Sequence, residues 1–382
     1  HLGFVTAMLD PSLMKEVRIP YGMSLKGDVE VDGSQYATKL TLTEGRGRVS
    51  VDAKVKTHMK KDGSIDMNQL AYQARLKVHQ LQVNHFLPHQ ELNTFSGNLE
   101  AHGLGTDFLS RRTCLTAKAE VSQLHYGKYH ISHLTADAHV AQGKIHANID
   151  SNNPLLKGLV SLDALTGSKD VEGTIVADVK NVDLYQLGLT RVPMTATVCG
   201  QVDLKSDLKE SHVVQAQIGS IGIRTEKKVY RPVDVVADLM TRRDTMHAVI
   251  DCGDFHLRMD THGGYKPLLA RLEKLQYEVV SQLKNRRIDQ VAIRREFPLG
   301  RISLTTGKDN FISRFIEYNG YHFKSVDMDL RTSPIAGLNG YLYIDSLVAQ
   351  GVQLDTIRAK IMTTGDSIRY TARIVNNKRN PQ

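Results

Sequence analysis

The sequence predicts a mostly β protein: a long antiparallel meander of repeating strands, with one amphipathic helix late in the chain. Three observations predict it. Apolar and polar residues alternate along most of the 382 residues, a glycine-led kernel recurs, and one stretch breaks into helical spacing. A period of two means that each strand shows one apolar and one wet face.

The alternation is clearest between Val171 and Lys205. Val171, Gly173, Ile175, Ala177 and Val179 fall on alternate positions, and so do Met194, Ala196, Val198, Gly200, Val202 and Leu204. The shared kernel is Gly-x-Val/Ile/Leu-x-Ala/Val/Ile/Leu. It recurs at Gly27-Val29-Val31, Gly97-Leu99-Ala101, Gly143-Ile145-Ala147, Gly158-Val160-Leu162 and Gly340-Leu342-Ile344. A longer echo joins Ala74–Lys77 and Ser96–Glu100 to Ala177–Lys180 and Cys199–Asp203 at equal spacing. Self-similarity of this kind marks similar units stacked side by side.

Taken in order, the chain opens on a weak strand region with a turn at Asp10-Pro11. Three alternating runs follow between Met23 and Val55, separated by Asp32-Gly33 and Gly45-Arg46-Gly47, which is hairpin chemistry. Strands are expected at Tyr72–Val83, through Gly97–Ile149 (with Ala117 and Ala119 on the apolar phase), and at Leu156–Leu165. Asp183–Leu189 reads as a turn or short helical piece. Short strands follow at Val213–Ile223, Val233–Leu239, Met246–Ile250 and Phe255–Met259. Strands resume after Pro298, and the tail Asn376–Gln382 is polar. The helix covers 266–287, where Leu268, Leu272, Leu275, Val279 and Leu283 sit at helical spacing after Gly263-Gly264 and Pro267. It is expected to pack on an open end or apolar face of the sheet, to sit in the mouth of a groove, or to lie on a membrane surface. The organisation expected is thus a β segment 1–265, the helix 266–287, and a continuing β segment 288–382.

Bulk composition agrees with one apolar face per strand. Hydrophobic residues make up 41%, aromatics 6%, and Trp is absent, which is thin for one large core. The net charge of +8 is spread in pairs such as Lys60-Lys61 and Arg242-Arg243, without the stacking aromatics of a nucleic-acid site. Cys114, Cys199 and Cys252 are distant and odd in number, so no disulfide framework or Cys-x-x-Cys motif is present. His125, His130, His133, His139 and His146 lie on the polar phase without a compact ligand spacing, and no metal or other cofactor is expected. No phosphate loop, His-Glu-x-x-His or Gly-x-Ser-x-Gly occurs, and the chain is not read as an enzyme. No run is apolar enough to span a membrane, and no signal peptide is visible.

About 25 strands at ~4.8 Å spacing make a sheet on the order of 120 Å long, whose apolar face must be buried somehow. A sandwich or a barrel would bury it. The third solution is a sheet curled into a U-shaped hydrophobic groove filled by acyl chains. Small residues at Gly27, Gly97, Gly158, Gly173, Ala196 and Gly200 suit that curl. The groove walls would then be Val29, Val31, Leu99, Ala117, Val160, Leu162, Ile175, Ala177, Val179, Val198, Val202, Leu204, Leu342 and Ile344. A ligand-free β-sandwich module, structural or adhesive, is the competing reading.

The repeated kernel, the run Val182-Asp183-Leu184-Tyr185-Gln186-Leu187-Gly188-Leu189 and the stretch 253–311 carry a resemblance. That stretch includes Gly253-Asp254-Phe255-His256-Leu257, the helix, Leu283–Asp289 and Gly307-Lys308-Asp309-Asn310. Over most of its length the chain resembles the central region of TamB-type members of the AsmA-like family, in their Bacteroidetes-type form. The resemblance implies an inner-membrane-anchored protein of the cell envelope with a long apolar β-groove through the periplasm. It implies phospholipid movement toward the outer membrane, or help in assembling outer-membrane barrels with an Omp85-class partner. The family's N-terminal anchor and C-terminal outer-membrane-facing domain are not found in the chain, so partner contacts are expected outside it.

Overall fold

The computed structural model describes residues 18, 20–87, 92–107, 110–167, 169–226, 228–230, 233–286, 289–318, 320–349, 352–364 and 367–375. The expected turn at Asp10-Pro11 and the tail 376–382 lie outside them. Within them the protein is mostly β: 23 strands in open, antiparallel pairing, with three α-helices. The chain forms two compact units that divide within one strand.

The first unit takes residues 1–169 and 177–183. It holds β1 (Ser24–Asp32), β2 (Gln35–Glu44), β3 (Gly47–Lys56), β4 (Ala71–Gln82), β5 (Leu92–Leu104), β6 (Cys114–Tyr126), β7 (Tyr129–Ile131), β8 (Leu134–Ala141), β9 (Lys144–Asn152), β10 (Leu156–Thr166) and the second half of β11 (Val171–Asp183). Successive strands are tied by two-residue turns at Gly33-Ser34, Gly45-Arg46 and Gln142-Gly143. The positive φ of Gly33, Gly45, Gln142 and Gly143 is what such turns require. Each tight turn fixes the register of its hairpin, so the phase of every strand is set by its neighbour.

The second unit takes 170–176 and 184–382. Its strands are the first half of β11, β12 (Met194–Ser206), β13 (His212–Thr225), β14 (Val229–Tyr230), β15 (Val235–Thr241), β16 (Thr245–Cys252), β17 (Phe255–His262), β18 (Gly300–Thr306), β19 (Tyr321–His322), β20 (Ser325–Ser333), β21 (Gly337–Ala349), β22 (Val352–Thr364) and β23 (Ser367–Val375). Between β17 and β18 run α1 (Tyr265–Lys284) and α2 (Gln290–Arg295), and α3 (Phe311–Tyr318) follows β18. The sequence reading anticipated α1 but neither α2 nor α3. Both are too short for periodicity to declare them, and each is announced instead by its cap. Asp289 accepts the amides of Val291 and Ala292 at 3.0 Å, and Asn310 accepts that of Ser313 at 2.7 Å. Asp183–Leu189 closes as a turn, Leu184 N donating to Met194 O at 3.0 Å.

Two of the recurring glycines share a cause that the turn glycine Gly143 does not. At Gly27 (φ 151°) and Gly340 (φ 147°) a Cβ would stand 2.0 Å from the neighbouring strand's carbonyl, Lys39 O and Asp329 O respectively. Only glycine permits that approach. The longer echo also has a structural meaning. The register shifts at Ser96/Gly97 against β6 and again at Cys199/Gln201 against β13. Each is a β-bulge, which bends a strand and sharpens its twist. Beside the first, Gln80 N donates to Ser96 Oγ at 2.8 Å and Ser122 Oγ to Ser96 O at 3.1 Å.

Few apolar side chains are buried. Among the described residues they are Val78, Val140, Ala164, Leu184, Met194, Ala196, Ile221, Ile223, Ala248, Cys252 and Phe255. A two-layer sandwich would bury alternate residues of nearly every strand. Here, apart from Val78 and Val140, the apolar phase is half-exposed along β3, β4, β6, β8 and β11.

Candidate functional site

Cross-strand register assembles the alternating residues into continuous rows. In the first unit one row runs Val31, Tyr36, Val55, Tyr72, Gly103, Leu115, Val140, Ile145 and Ala164 across nine strands. The next runs Val29, Thr38, Ala53, Ala74, Ala101, Ala117, Ala138, Ala147 and Leu162. The third runs Gly27, Leu40, Val51, Leu76, Leu99, Ala119, Ala136, Ile149 and Val160. A fourth runs Leu25, Leu42, Val49, Val78, Gly97, Val121, Leu134, Ser151 and Gly158. Thr38 and Ser151 are the polar members of the four rows.

Nine strands at ~4.8 Å and four rows at ~7 Å cover on the order of 800 Å², above the few hundred Å² of apolar patch that soluble monomers usually expose. The second row is small at six consecutive strands, and its neighbours are bulkier except at Gly103, Ala119 and Ala136, so it forms a shallow track that widens there. The reading from sequence placed Val29, Val31, Leu99, Ala117, Val160 and Leu162 on this face, and register brings them together. Val29, Ala117 and Leu162 share one row, and Leu99 and Val160 another. Val29 and Val31, near the edge, are 59% and 61% exposed. Ala101, Ala119 and Ala147, apolar-phase positions of the sequence reading that are not among its groove walls, join them, and Tyr36 and Tyr72 of the same face carry no signal of their own as lining residues. Hairpin register, propagated through the two-residue turns, is the signal that would have found them.

The second unit repeats the arrangement over ten strands. Val202, Ala216, Ala237, Ile250, Leu257, Leu304, Met328, Leu342, Ala359 and Ala372 form one row. Beside it run Leu204, Val214, Leu239, Ala248, Met259, Ile302, Leu330, Gly340, Ile361 and Tyr370. Val202 and Leu342 are therefore in one row, Leu204 is in the next, and Ile344 pairs with Val326 and Ile357. Val198 pairs with Ile221 on the same phase of β12. Ile175, Ala177 and Val179 take alternate, half-exposed positions of β11.

The opposite face is charged, and in the first unit its charges alternate in sign. Asp28, Lys39, Asp52, Arg75, Glu100, Lys118 and Asp137 stand opposite one another across seven strands, with Arg75 Nε 3.4 Å from Glu100 Oε1. Each opposite-charge neighbour contributes roughly 0.2–1 kcal/mol, and a one-residue slip would turn a strand's apolar residues onto the charged face and its charges onto the apolar one. Recesses of about 760 and 460 Å³ in the first unit and about 500 Å³ in the second are lined mainly by this polar phase. None of the residues expected to line a groove borders them. The largest of the three is also bordered by Tyr36, Val55, Tyr72, Gly103, Leu115 and Val140 of the first row.

The histidines lie on the polar face too. His146 Nδ1 is 2.6 Å from Asp163, His139 Nδ1 is 3.2 Å from Thr116 Oγ1, and the His125 and His130 rings meet edge-on with centroids 4.0 Å apart. Among the described residues no three His, Cys, Asp or Glu side chains are grouped as a metal ion would need. Perturbed groups follow local contacts. Burial raises the Tyr72 phenol and the Cys252 thiol above their ordinary values. Hydrogen bonds from Thr174 and then Gln201 hold Asp203 below the usual carboxylate range.

Helix α1 buries less of its apolar stripe than packing on a sheet face would. Leu268, Leu275 and Val279 are half-buried, while Leu272 and Leu283 are exposed. Its one buried residue is polar: Gln282 accepts Asp289 N at 2.6 Å and donates to Asp289 O at 3.1 Å. No helix among the described residues is long and apolar enough to cross a membrane.

Two sequence pieces singled out separately, Gly253-Asp254 and Gly307–Asn310, meet in a polar knot. Asp254 accepts Asp309 N at 3.0 Å and Asn310 Nδ2 at 2.7 Å. Asn310 is fully buried, and its Nδ2, which has two hydrogens to share, also lies 2.9 Å from Thr306 Oγ1, 3.1 Å from Gly307 O and 2.9 Å from Ser313 Oγ. With every polar atom partnered, the knot fixes α3 to β18 and to the β16–β17 turn. Comparison with known proteins finds no family model that matches the chain, and no curated protein or solved structure that matches it.

Proposed function

We propose that the chain is a segment of a periplasmic bridge that conducts phospholipid acyl chains along its apolar β face toward the outer membrane. Support for outer-membrane protein assembly is a linked role. The observation that carries this is the set of apolar rows, broken only at Thr38 and Ser151 in the first unit's four, that stay largely half-exposed across nine and ten consecutive strands. One leaflet of a bilayer is ~15 Å deep, so the first unit's ~38 Å run accommodates two extended acyl chains end to end. Burial of apolar surface is non-directional, so a chain that slides one strand spacing exchanges like contacts for like. Headgroups stay in water beside the track. No step breaks a covalent bond. An Omp85-class barrel is the protein partner this reading calls for, by way of the resemblance to the AsmA-like family.

A photo-crosslinking residue at Ile175, Val202 or Ala117 tests the reading, with Lys118 on the opposite face as the control. Lipid adducts at the first three and none at Lys118 are expected. Equal labelling of both faces, or no lipid at any position in a folded protein, sinks it. Adducts to polypeptide in place of lipid would turn the reading toward barrel assembly alone.

A further inference from the structure

We infer that α1 docks on an anionic lipid surface. The helix carries two apolar stripes, and only one is satisfied by the protein. Leu268, Leu275 and Val279 are half-buried. The other stripe, Leu269, Leu272, Val280 and Leu283, recurs at i, i+3, i+11 and i+14 and stands in solvent, Leu269 at 54% and Leu283 at 65% exposure. It runs ~21 Å along the helix. Tyr277, beside it, is exposed as well. Aromatic rings with one polar atom favour the depth of lipid headgroups.

Charge complementarity selects the occupant. Between Gly264 and Glu296 eight basic residues face four acidic ones, a formal charge of +4, half of the chain's +8 in less than a tenth of its length. Lys284 flanks the bare stripe, where its aliphatic stem lies along an apolar layer while the ammonium group reaches phosphate. A second protein surface of matching shape would need a compensating acidic groove. A layer of acidic headgroups over hydrocarbon supplies both demands without shape.

The helix is held in place to present that stripe. At its start Tyr265 N donates to Thr241 Oγ1 at 3.0 Å, Lys266 Nζ donates to Lys209 O at 2.9 Å, and the His212 and Tyr265 rings pack 5.4 Å apart. A Cβ on Gly264 would lie 2.0 Å from Arg242 O, so the entry is a close backbone fit. Along its length Arg271 donates to Arg295 O at 3.3 Å, and at its end the Gln282–Asp289 clasp joins it to α2. These bonds spend the polar groups on the protein side and leave the leucines free.

The test is flotation of the full chain with vesicles of phosphatidylcholine alone and of phosphatidylcholine with phosphatidylglycerol in a two-to-one ratio. Binding is expected to the mixed vesicles, weakening with salt because the attraction is screened. Leu272→Glu/Leu283→Glu changes two exposed positions and is expected to weaken binding by roughly tenfold or more. Lys284→Glu, beside the stripe, leaves the leucines whole and is expected to lose most of the preference for phosphatidylglycerol, which keeps the test decisive should the first variant misfold. Equal flotation with neutral vesicles, unchanged flotation of both variants, or self-association of the wild-type chain through the helix overturns the inference. Lipid adducts at Val202 persist in folded helix variants if the sheet face acts independently of α1, which separates this inference from the conduction proposal.

Discussion

In the first unit the row through Ala53, Ala74, Ala101, Ala117, Ala138 and Ala147 is small at six consecutive strands. In the second, the row from Val202 to Ala372 is small near both ends and bulky through its middle, at Ile250, Leu257, Leu304, Met328 and Leu342. Both faces are apolar, but one has a recessed floor and the other a raised one. Alternation therefore decides which face is oily, and side-chain volume in the cross-strand row decides how deep it is. The polar faces differ as well. The first unit has an unbroken ladder of alternating charge. In the second, the row Asp238, Val249, Arg258, Ser303 and Asp329 interrupts it.

Filling the recessed floor is the strongest way to break the contrast. Ala101→Phe/Ala117→Phe is expected to cut lipid adducts at a photo-probe replacing Ala138 by roughly tenfold, since large side chains on a small-residue floor have nowhere to go. Leu304→Phe in the second unit should change adducts at Val202 less than about twofold, because that floor is already raised. Next come the kernel glycines, which sharpen what the units share. Gly27→Ala and Gly340→Ala each force a Cβ against a carbonyl. Each is expected to cost about 2–4 kcal/mol locally, read by hydrogen exchange of β2 and of β20. A loss in one unit alone would mean the two kernel copies are not equivalent. The smallest effect lies on the charged faces. Arg75→Glu sets like charges against Asp52 and Glu100 and should cost about 1 kcal/mol, eased by added salt. Arg258→Glu, between Val249 and Ser303, should cost less than about 0.5 kcal/mol, both variants being read by urea titration against the unsubstituted chain.

Much of this was readable beforehand. The phase of β11 and β12, the apolar positions Val202 and Leu204, and the helix beginning near Pro267 all follow from period and punctuation. The alanine track did not show, because alanine at one position of one strand is unremarked until its neighbours across the sheet are also alanine. The knot around Asn310 did not show either. Asp254 and Asn310 are distant along the chain, and nothing in either piece names the other. The two short helices were hidden by their length.

What the sequence determined alone is local: a period of two gives strands, glycine at positive φ gives turns and close approaches, and a period of 3.6 gives α1. These depend on sterics and on the solvation of a few neighbouring residues. What tertiary structure decided is which residues stand opposite one another: the rows, the charge ladder, the bulges shared by Gly97 and Gly200, and the half of α1 that stays bare. Those follow from hydrogen-bond register and from which surfaces meet, and pairing between strands is set by turns and contacts that no single strand contains.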